Sequence, residues 1–189
     1  MPRAPVPTIL ALVLVALAPS CSRKSHGRAT SYTPPPMPAG FVEQAGTGWR
    51  IALPATWKEV TQRGPAAFAV SDPQAVDDFH AYANVVTEAF SGESDSYAKA
   101  NQAGLGREAR ATVEKVRQEV IDGDSTLILE SRWAPVPDRP GGAVSYRTMQ
   151  TALASHGTGY VATCAVASSA FDRYRSTCES ILRSFAVER

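Results

Sequence analysis

The sequence has little surplus charge, few histidines and no apolar segment as long as a membrane-spanning helix. Its 19 Lys+Arg residues almost balance 18 Asp+Glu residues, and it contains three histidines. Binding to nucleic acid needs clustered Lys and Arg to neutralise the phosphate backbone. The chain is a poor match for that requirement, and we expect no nucleic-acid partner.

The common catalytic motifs are also missing. Neither a G-x-S-x-G nor an H-E-x-x-H pattern occurs, so the sequence lacks these two hydrolase signatures. Gly104 and Gly106, like Gly157 and Gly159, lack the strand–loop–helix context of a phosphate-binding loop. We predict that the protein is not an enzyme and that it uses no cofactor.

The histidines give two weak candidate sites. Asp77, Asp78 and His80 lie close together, and carboxylate and imidazole groups are metal ligands. No second His or Cys follows at ligand spacing, however, and the neighbouring Asp72-Pro73 pair favours a solvated surface loop. His156 lies in a glycine-rich segment that is typical of a hairpin turn. We therefore predict no metal site.

The apolar run at residues 8–18 is about half the length of ~20 residues that a membrane-spanning helix needs. Arg3 precedes it and small residues follow it, an order that is typical of a secretory signal. Ordinary signal peptidase would cut after Ala18, but Pro19 would then follow the cleaved bond, with its φ fixed and its N–H missing. Cleavage before Cys21 avoids this problem.

The segment around the second cleavage point resembles the lipobox of bacterial lipoproteins. Ser20 and Cys21 agree with that motif, whereas Ala18 stands where Leu is usual and Pro19 is atypical. The resemblance implies that residues 1–20 are removed and that Cys21 carries acyl chains such as palmitate, which attach the protein to a lipid membrane. Ser22 is not acidic, which favours the outer membrane. The alternative is a plain secreted protein in which Cys21 is incidental.

Residues 21–40 are predicted to be a proline-rich tether. The segment contains little apolar sequence and includes the run Pro34-Pro35-Pro36, which favours an extended chain of ~3 Å per residue. Its basic start, Arg23, Lys24 and Arg28, is either simply solvated or in contact with anionic lipid headgroups. The folded domain is then expected over residues 41–189.

Three cysteines leave one unpaired if the other two form a disulfide. Cys164 lies in a β-branched, apolar run that predicts a strand, and Cys178 lies on the apolar face of a predicted helix. An exported protein meets an environment that permits disulfides. We predict a bond between Cys164 and Cys178, with two buried free thiols as the alternative.

The folded region is dominated by strand patterns, with one helix near the middle and one at the end. Asp122-Gly123 marks a tight hairpin, and serines at 94–96 and at 168 or 169 are candidate helix N-caps. The pattern indicates an α+β domain. Strands are predicted over residues 48–54, 57–60, 66–70, 83–90, 112–120, 125–133, 144–153 and 160–166, and helices over residues 94–103 and 170–185.

The order of these landmarks resembles the PsbP/Mog/DcrB-like fold family. Gly48-x-x-Ile51-x-x-Pro54-x-x-Trp57 matches its opening signature, and the Asp122-Gly123 hairpin and the apolar end at Phe185 match later landmarks. The resemblance implies an α/β/α sandwich, an antiparallel sheet flanked by helices. It also implies a binding or assembly role, since the group includes photosystem accessory proteins, a Ran-interacting protein and exported lipoproteins.

Two functions fit these observations. The first is a membrane-anchored accessory protein that contacts another protein of the bacterial cell envelope. The second is a small-ligand carrier with a pocket between sheet and helix. Aromatic residues are common in such pockets, so Trp133 is a candidate for a ligand groove, whereas Trp49 and Trp57 fit a core better.

Lipidation predicts the location of the protein in a cell. In Cys21→Ser, most of the chain should move from the membrane fraction to the soluble fraction, because the acyl chains supply the membrane affinity. Immunoblots of fractionated cells measure this change, with Ser25→Ala as a control that keeps the cysteine. Unchanged membrane partition of Cys21→Ser would show that the anchor lies elsewhere.

Overall fold

The structure is a computed structural model that describes residues 32–61, 66–135 and 144–189. The predicted signal peptide, Cys21 and residues 22–31 lie outside this part of the chain. Within it the protein forms ten strands and two α-helices. In chain order these are β1 (Phe41–Gly46), β2 (Trp49–Pro54), β3 (Lys58–Glu59), β4 (Ala66–Val76), β5 (Phe79–Ala89), α1 (Ser94–Leu105), β6 (Ala111–Ile121), β7 (Asp124–Trp133), β8 (Tyr146–Ser155), β9 (Thr158–Ala167), α2 (Phe171–Arg183) and β10 (Ala186–Val187).

The strands form two antiparallel sheets. One contains three strands in the order β1-β2-β10, and the other contains seven in the order β3-β4-β5-β9-β8-β7-β6. The helices lie on opposite faces of the larger sheet. On β8, Met149 and Leu153 belong to the core that includes α2, whereas Ala152 belongs to the core that includes α1, and side chains alternate between the faces of a strand. The predicted α+β sandwich is confirmed.

Two hairpins have the turn that their sequence predicts. Asp122 and Gly123 have φ of 52° and 82°, and His156 and Gly157 have φ of 48° and 78°. Positive φ at both central residues defines the type I′ turn, which Asp-Gly favours and which suits the twist of paired strands. His156 therefore has a structural place in a turn between β8 and β9.

The segment from Asp72 to His80 differs from the predicted loop. Asp77 and Asp78 do form a turn, both with positive φ, but the flanking residues belong to β4 and β5. The pairing of β4 with β5 is irregular between Ser71 and Ala75, which accommodates Pro73 because proline cannot donate to a ladder. The Nδ1 atom of His80 lies 2.8 Å from the carbonyl oxygen of Asp72.

Neither α-helix has the predicted serine cap. Residue 93 precedes α1, and the hydroxyl of Ser94 donates to Asp124 at 2.6 Å and accepts from the backbone N–H of Ala154 at 2.9 Å. That hydroxyl therefore joins α1 to two strands instead of closing the helix end. A 3-10 turn, Ser168–Ala170, leads into α2 without a side-chain cap. Helix α1 also continues past Gly104 and ends at Leu105.

The larger core lies between the two sheets and α2. The structure joins Cys164 of β9 to Cys178 of α2, with their Cα atoms 5.5 Å apart and both residues fully buried. A further polar link lies beside this core: Glu130 of β7 is 2% exposed and accepts a hydrogen bond from Arg175 of α2 at 2.9 Å.

None of the helices in the described residues has both the length and the apolar character needed to span a membrane.

The disulfide should contribute substantially to stability. Replacing both Cys164 and Cys178 with alanine should lower the free energy of unfolding by roughly 3 kcal/mol, because the bond closes a short loop in the unfolded chain. Urea titration followed by circular dichroism measures this loss.

A thiol reductant separates the bond from the packing of the two sulfur atoms. It should lower the melting temperature of the wild-type protein and leave that of the double variant unchanged. The pairing would be contradicted if the reductant left the melting temperature of the wild-type protein unchanged and mass mapping found both thiols free.

Candidate functional site

Helix α1 covers only part of its face of the larger sheet. Its main contacts are with β7 and β8, whereas residues of the neighbouring strands β9 and β5 line a concave surface beside it. The result is a groove of about 350 Å³ between α1 and strands β5, β9 and β8, with Trp133 of β7 at one end. This volume lies at the lower end of the range for small-molecule sites. We call it the α1 groove.

The position of α1 depends on a close contact between Tyr97 and Gly159. A Cβ atom at Gly159 would lie 2.4 Å from the ring of Tyr97, so only glycine lets the ring approach β9 so closely. The Tyr97 hydroxyl donates to Glu88 of β5 at 2.8 Å, and its ring packs on Phe90 with centroids 4.6 Å apart. Asn101 follows one turn later on the same side of α1 and also lines the groove.

A row of polar side chains crosses the sheet beneath the groove. Gln150 of β8 lies directly opposite Thr163 of β9, and Thr163 lies directly opposite Asn84 of β5. Paired residues point to the same side of a sheet, so all three face the α1 groove. The amide nitrogen of Gln150 donates to the hydroxyl of Thr163 at 3.0 Å. We call this set the amide row.

Several polar atoms of the groove have no hydrogen-bond partner among the described residues. They are the amide oxygens of Asn84 and Gln150 and the amide nitrogen of Asn101. Exchanging the two ends of the Gln150 amide would not remove the deficit, because only one end contacts Thr163. The side chains of the groove can therefore donate and accept further hydrogen bonds.

Aromatic rings close the end of the groove beyond the amide row. Trp133 stacks on Tyr146 with their rings 5° from parallel and centroids 5.7 Å apart, and Tyr146 stacks on Phe79 at 5.3 Å. Tyr82 of β5 lies beside Phe79, with centroids 6.0 Å apart. The indole N–H of Trp133 donates to Thr148 at 3.1 Å, so the ring is held in a fixed orientation.

The tyrosines of the groove resist ionisation. Burial raises the pKa of Tyr82 to about 12, with a smaller contribution from Tyr146. Burial also raises the pKa of Tyr97, as does its hydrogen bond to the carboxylate of Glu88. The pKa of Tyr146 is raised by burial and lowered to a smaller extent by Arg110. These three hydroxyls therefore stay neutral at physiological pH.

The arrangement suits binding. Among the described residues that line the groove, Glu88 is the one acidic side chain and none is His, Cys, Lys or Arg. General acid–base and nucleophilic catalysis mostly rely on such groups held within hydrogen-bond reach of one another. What the groove offers is a set of amides and hydroxyls beside aromatic rings, a combination that orients a ligand.

The structure distributes the residues singled out by the sequence among different regions. Trp133 lies in the α1 groove, and Trp49 and Trp57 are buried in the core with α2. Asp77 lies in the β4–β5 turn and accepts a hydrogen bond from Ser169. Over residues 32–61, 66–135 and 144–189, no three metal-ligating side chains come together. Cys21 lies outside these ranges.

Sequence reasoning missed the amide row. Asn84 and Thr163 each lie between apolar residues of their strands, and such alternation ordinarily indicates a face that meets water. A second signal was available, because three of the predicted strands carry an uncharged polar residue, namely Asn84, Thr163 and Gln150, where a face exposed to water often carries charged residues. Uncharged polar side chains aligned across a sheet would have pointed to a partly covered face.

The fold is shared with solved structures of bacterial proteins. No family model and no curated protein matches the sequence. LpqN of Mycobacterium tuberculosis, described as involved in cell envelope biogenesis, is 13% identical with a TM-score of 0.57, covering 79% of this chain and 90% of its own. The cyanobacterial PsbP protein (CyanoP) of Synechocystis sp. PCC 6803 is 16% identical with a TM-score of 0.54, and the match covers 86% of this chain and 100% of that protein. A Pseudomonas aeruginosa protein of unknown function is 13% identical with a TM-score of 0.50, covering 80% and 99%. At these identities the similarity concerns the fold alone, and the chain has the PsbP/Mog-like fold.

Proposed function

We propose that this chain is a lipid-anchored protein of the bacterial cell envelope that binds a small ligand in the α1 groove and catalyses no reaction. The single observation that carries the proposal is the unused hydrogen-bonding capacity of Asn84, Gln150 and Asn101 in one concave site. Proteins normally satisfy their buried polar atoms. A ligand with donors and acceptors at matching positions would form hydrogen bonds that the described residues do not provide.

The location rests on the sequence and is supported by one comparison. Cys21 ends a lipobox-like segment, and the proline-rich residues that follow give the folded domain reach from a membrane surface. LpqN shares the fold and is described as involved in cell envelope biogenesis, which supports an envelope role here. Palmitate on Cys21 and attachment to the outer membrane are the specific forms of this proposal.

The groove differs from that of a carrier for apolar molecules. Such a carrier needs an enclosed apolar cavity, whereas the amide row places three polar side chains across the base of an open groove. Removing these amides from water without new hydrogen bonds would disfavour an apolar ligand. The ligand must therefore be polar, with some apolar surface for Trp133 and Tyr146.

A second candidate function is contact with an envelope protein through β6. This strand ends the seven-stranded sheet and, among the described residues, pairs only with β7. Val116 and Val120 on it are 42% and 52% exposed. A free edge with exposed valines can pair with a strand of another protein, as an accessory role requires.

A co-purification experiment separates the two functions. The protein is purified from intact cells under native conditions, and small molecules released on denaturation are identified by mass spectrometry. We expect the wild-type chain to release a polar compound, and Gln150→Ala to release at least about tenfold less, because a lost hydrogen bond leaves the ligand group unpaired.

Gln118→Ala is the matched control. Gln118 lies on exposed β6, on the same face of the sheet but outside the groove, so its loss should leave the released compound unchanged. If no groove-dependent compound is released, the ligand-binding function is rejected. Recovery of a stoichiometric protein partner whose binding is lost in Val116→Lys would then support the accessory role.

A further inference from the structure

We propose that the α1 groove takes a neutral saccharide, with the amide row and Asn101 contacting its hydroxyl groups and the aromatic end contacting its ring. The proposal deepens the ligand-binding function and rests on it. It follows from three properties of the groove: its charge, its hydrogen-bonding groups and the pairing of its strands. These properties disfavour, in turn, anions, ligands that cannot both donate and accept hydrogen bonds, and extended peptides. Neutral molecules with several hydroxyl groups remain.

The charge of the groove disfavours anions. Among the described residues that line it there is no Lys, Arg or His, and Glu88 contributes a carboxylate near one end. Proteins that bind phosphate or carboxylate groups normally provide a cation or a bidentate Arg. Arg110 lies beyond the aromatic end, where its guanidinium donates to the carbonyl oxygen of Ala134 at 2.6 Å and lowers the pKa of Tyr146. Because no described cation lies among the lining residues themselves, we infer that the ligand is uncharged.

The hydrogen-bonding groups require a ligand that both donates and accepts. The side-chain amides of Asn84, Gln150 and Asn101 each have an atom without a partner among the described residues, and an amide offers both an acceptor oxygen and a donor nitrogen. A hydroxyl group both donates and accepts, because it carries one O–H donor and two lone pairs. The terminal torsions of Asn and Gln side chains are broad, so the amides can turn toward a row of hydroxyls without leaving a rotamer well.

The pairing of the strands disfavours an extended peptide. Peptides that bind to sheets commonly do so by adding a strand to a free edge. Strands β5, β9 and β8 are each paired on both sides, so the groove presents side chains and no free backbone edge. A saccharide binds through its hydroxyls and its C–H faces and needs no such edge.

The aromatic end provides the complementary apolar contact. Trp133, Tyr146 and Tyr82 line one end of the groove, and the stack with Phe79 keeps them in place. A sugar ring carries hydroxyls around its rim and C–H groups on its faces. Large, rigid aromatic side chains give apolar contact area with little loss of conformational freedom, which suits a ligand of this mixed character.

The three tryptophans of the chain make a direct test possible. Trp133 lies in the groove, whereas Trp49 and Trp57 are buried in the core on the opposite side of the sheet. In full-length protein labelled with ¹⁵N-tryptophan, purified in a detergent without a sugar headgroup, titration with maltose, cellobiose and N,N′-diacetylchitobiose should shift the indole signal of Trp133 alone. We expect a Kd on the order of 1 mM for at least one of them.

The variants identify the groups that bind. Asn84→Ala and Gln150→Ala should each raise the Kd about tenfold, because each removes one hydrogen-bonding partner. Gln118→Ala should leave it unchanged. Circular dichroism and the unshifted signals of Trp49 and Trp57 report whether each variant keeps its fold. If Asn84→Ala unfolds, Gln150→Ala against Gln118→Ala decides the matter.

Two results would overturn the saccharide assignment. One is an indole signal of Trp133 that does not move with any of the three disaccharides at about 20 mM, about twentyfold above the expected Kd. The other is binding of glucuronate that is tighter than that of the neutral sugars, which contradicts the charge argument. A groove-dependent compound that co-purifies and is not a saccharide would leave the binding function intact while rejecting this ligand class.

Binding should be insensitive to alkaline pH. A tyrosine with the ordinary pKa of about 10 is half ionised at pH 10, but burial raises the pKa of Tyr82 to about 12 and raises those of Tyr97 and Tyr146. The Kd measured at pH 7 and at pH 10 should therefore agree within about twofold. A sharp loss of binding near pH 10 would show that a groove tyrosine ionises at its ordinary pKa.

Discussion

The contact of Tyr97 with Gly159 determines the shape of this molecule's concave surface. The ring of Tyr97 occupies the space where any residue other than glycine at position 159 would place its Cβ atom, and the Tyr97 hydroxyl donates a hydrogen bond to Glu88. Helix α1 is thereby fixed over β7 and β8, and residues of β5 and β9 line the concave surface beside it. A helix placed nearer the centre of the sheet would bury the amide row and would require other side chains there. The groove is thus a direct consequence of one aromatic ring packed on one glycine.

The central strands serve two environments at once. On β9, Cys164 contributes to the core with α2, while its neighbour Thr163 faces the groove. The core face gains the free energy of apolar burial. The groove face forgoes part of that gain, because Asn84, Gln150 and Thr163 stand where apolar residues would pack against a helix. Natural proteins accept such losses mainly where a site is needed, and the core with α2 and the disulfide provides the stability that makes the loss tolerable.

Local chemistry predicted most of the fold, and tertiary placement accounts for what was missed. The hairpin at Asp122-Gly123 follows from the φ preferences of those two residues, so sequence alone identifies it. Ser94 has the chemistry of an N-cap, but its hydroxyl is used by Asp124 and Ala154, partners that only the folded chain brings near. Trp133 could be proposed as a groove residue from its type alone. The amide row could be suspected only from the Asn, Thr and Gln residues on three predicted strands, because its members are distant in the sequence and their environment is created by α1.

The bond between Cys164 and Cys178 has a consequence beyond stability. Side chains alternate along a strand, so sliding β9 by one residue would turn every groove residue inward and every core residue outward. Cys164 can reach Cys178 only from the core face, so the covalent link is incompatible with the slipped arrangement. Formation of this bond therefore also acts as a check on folding: a chain that has closed it presents Thr163 to the side of the sheet that faces the α1 groove.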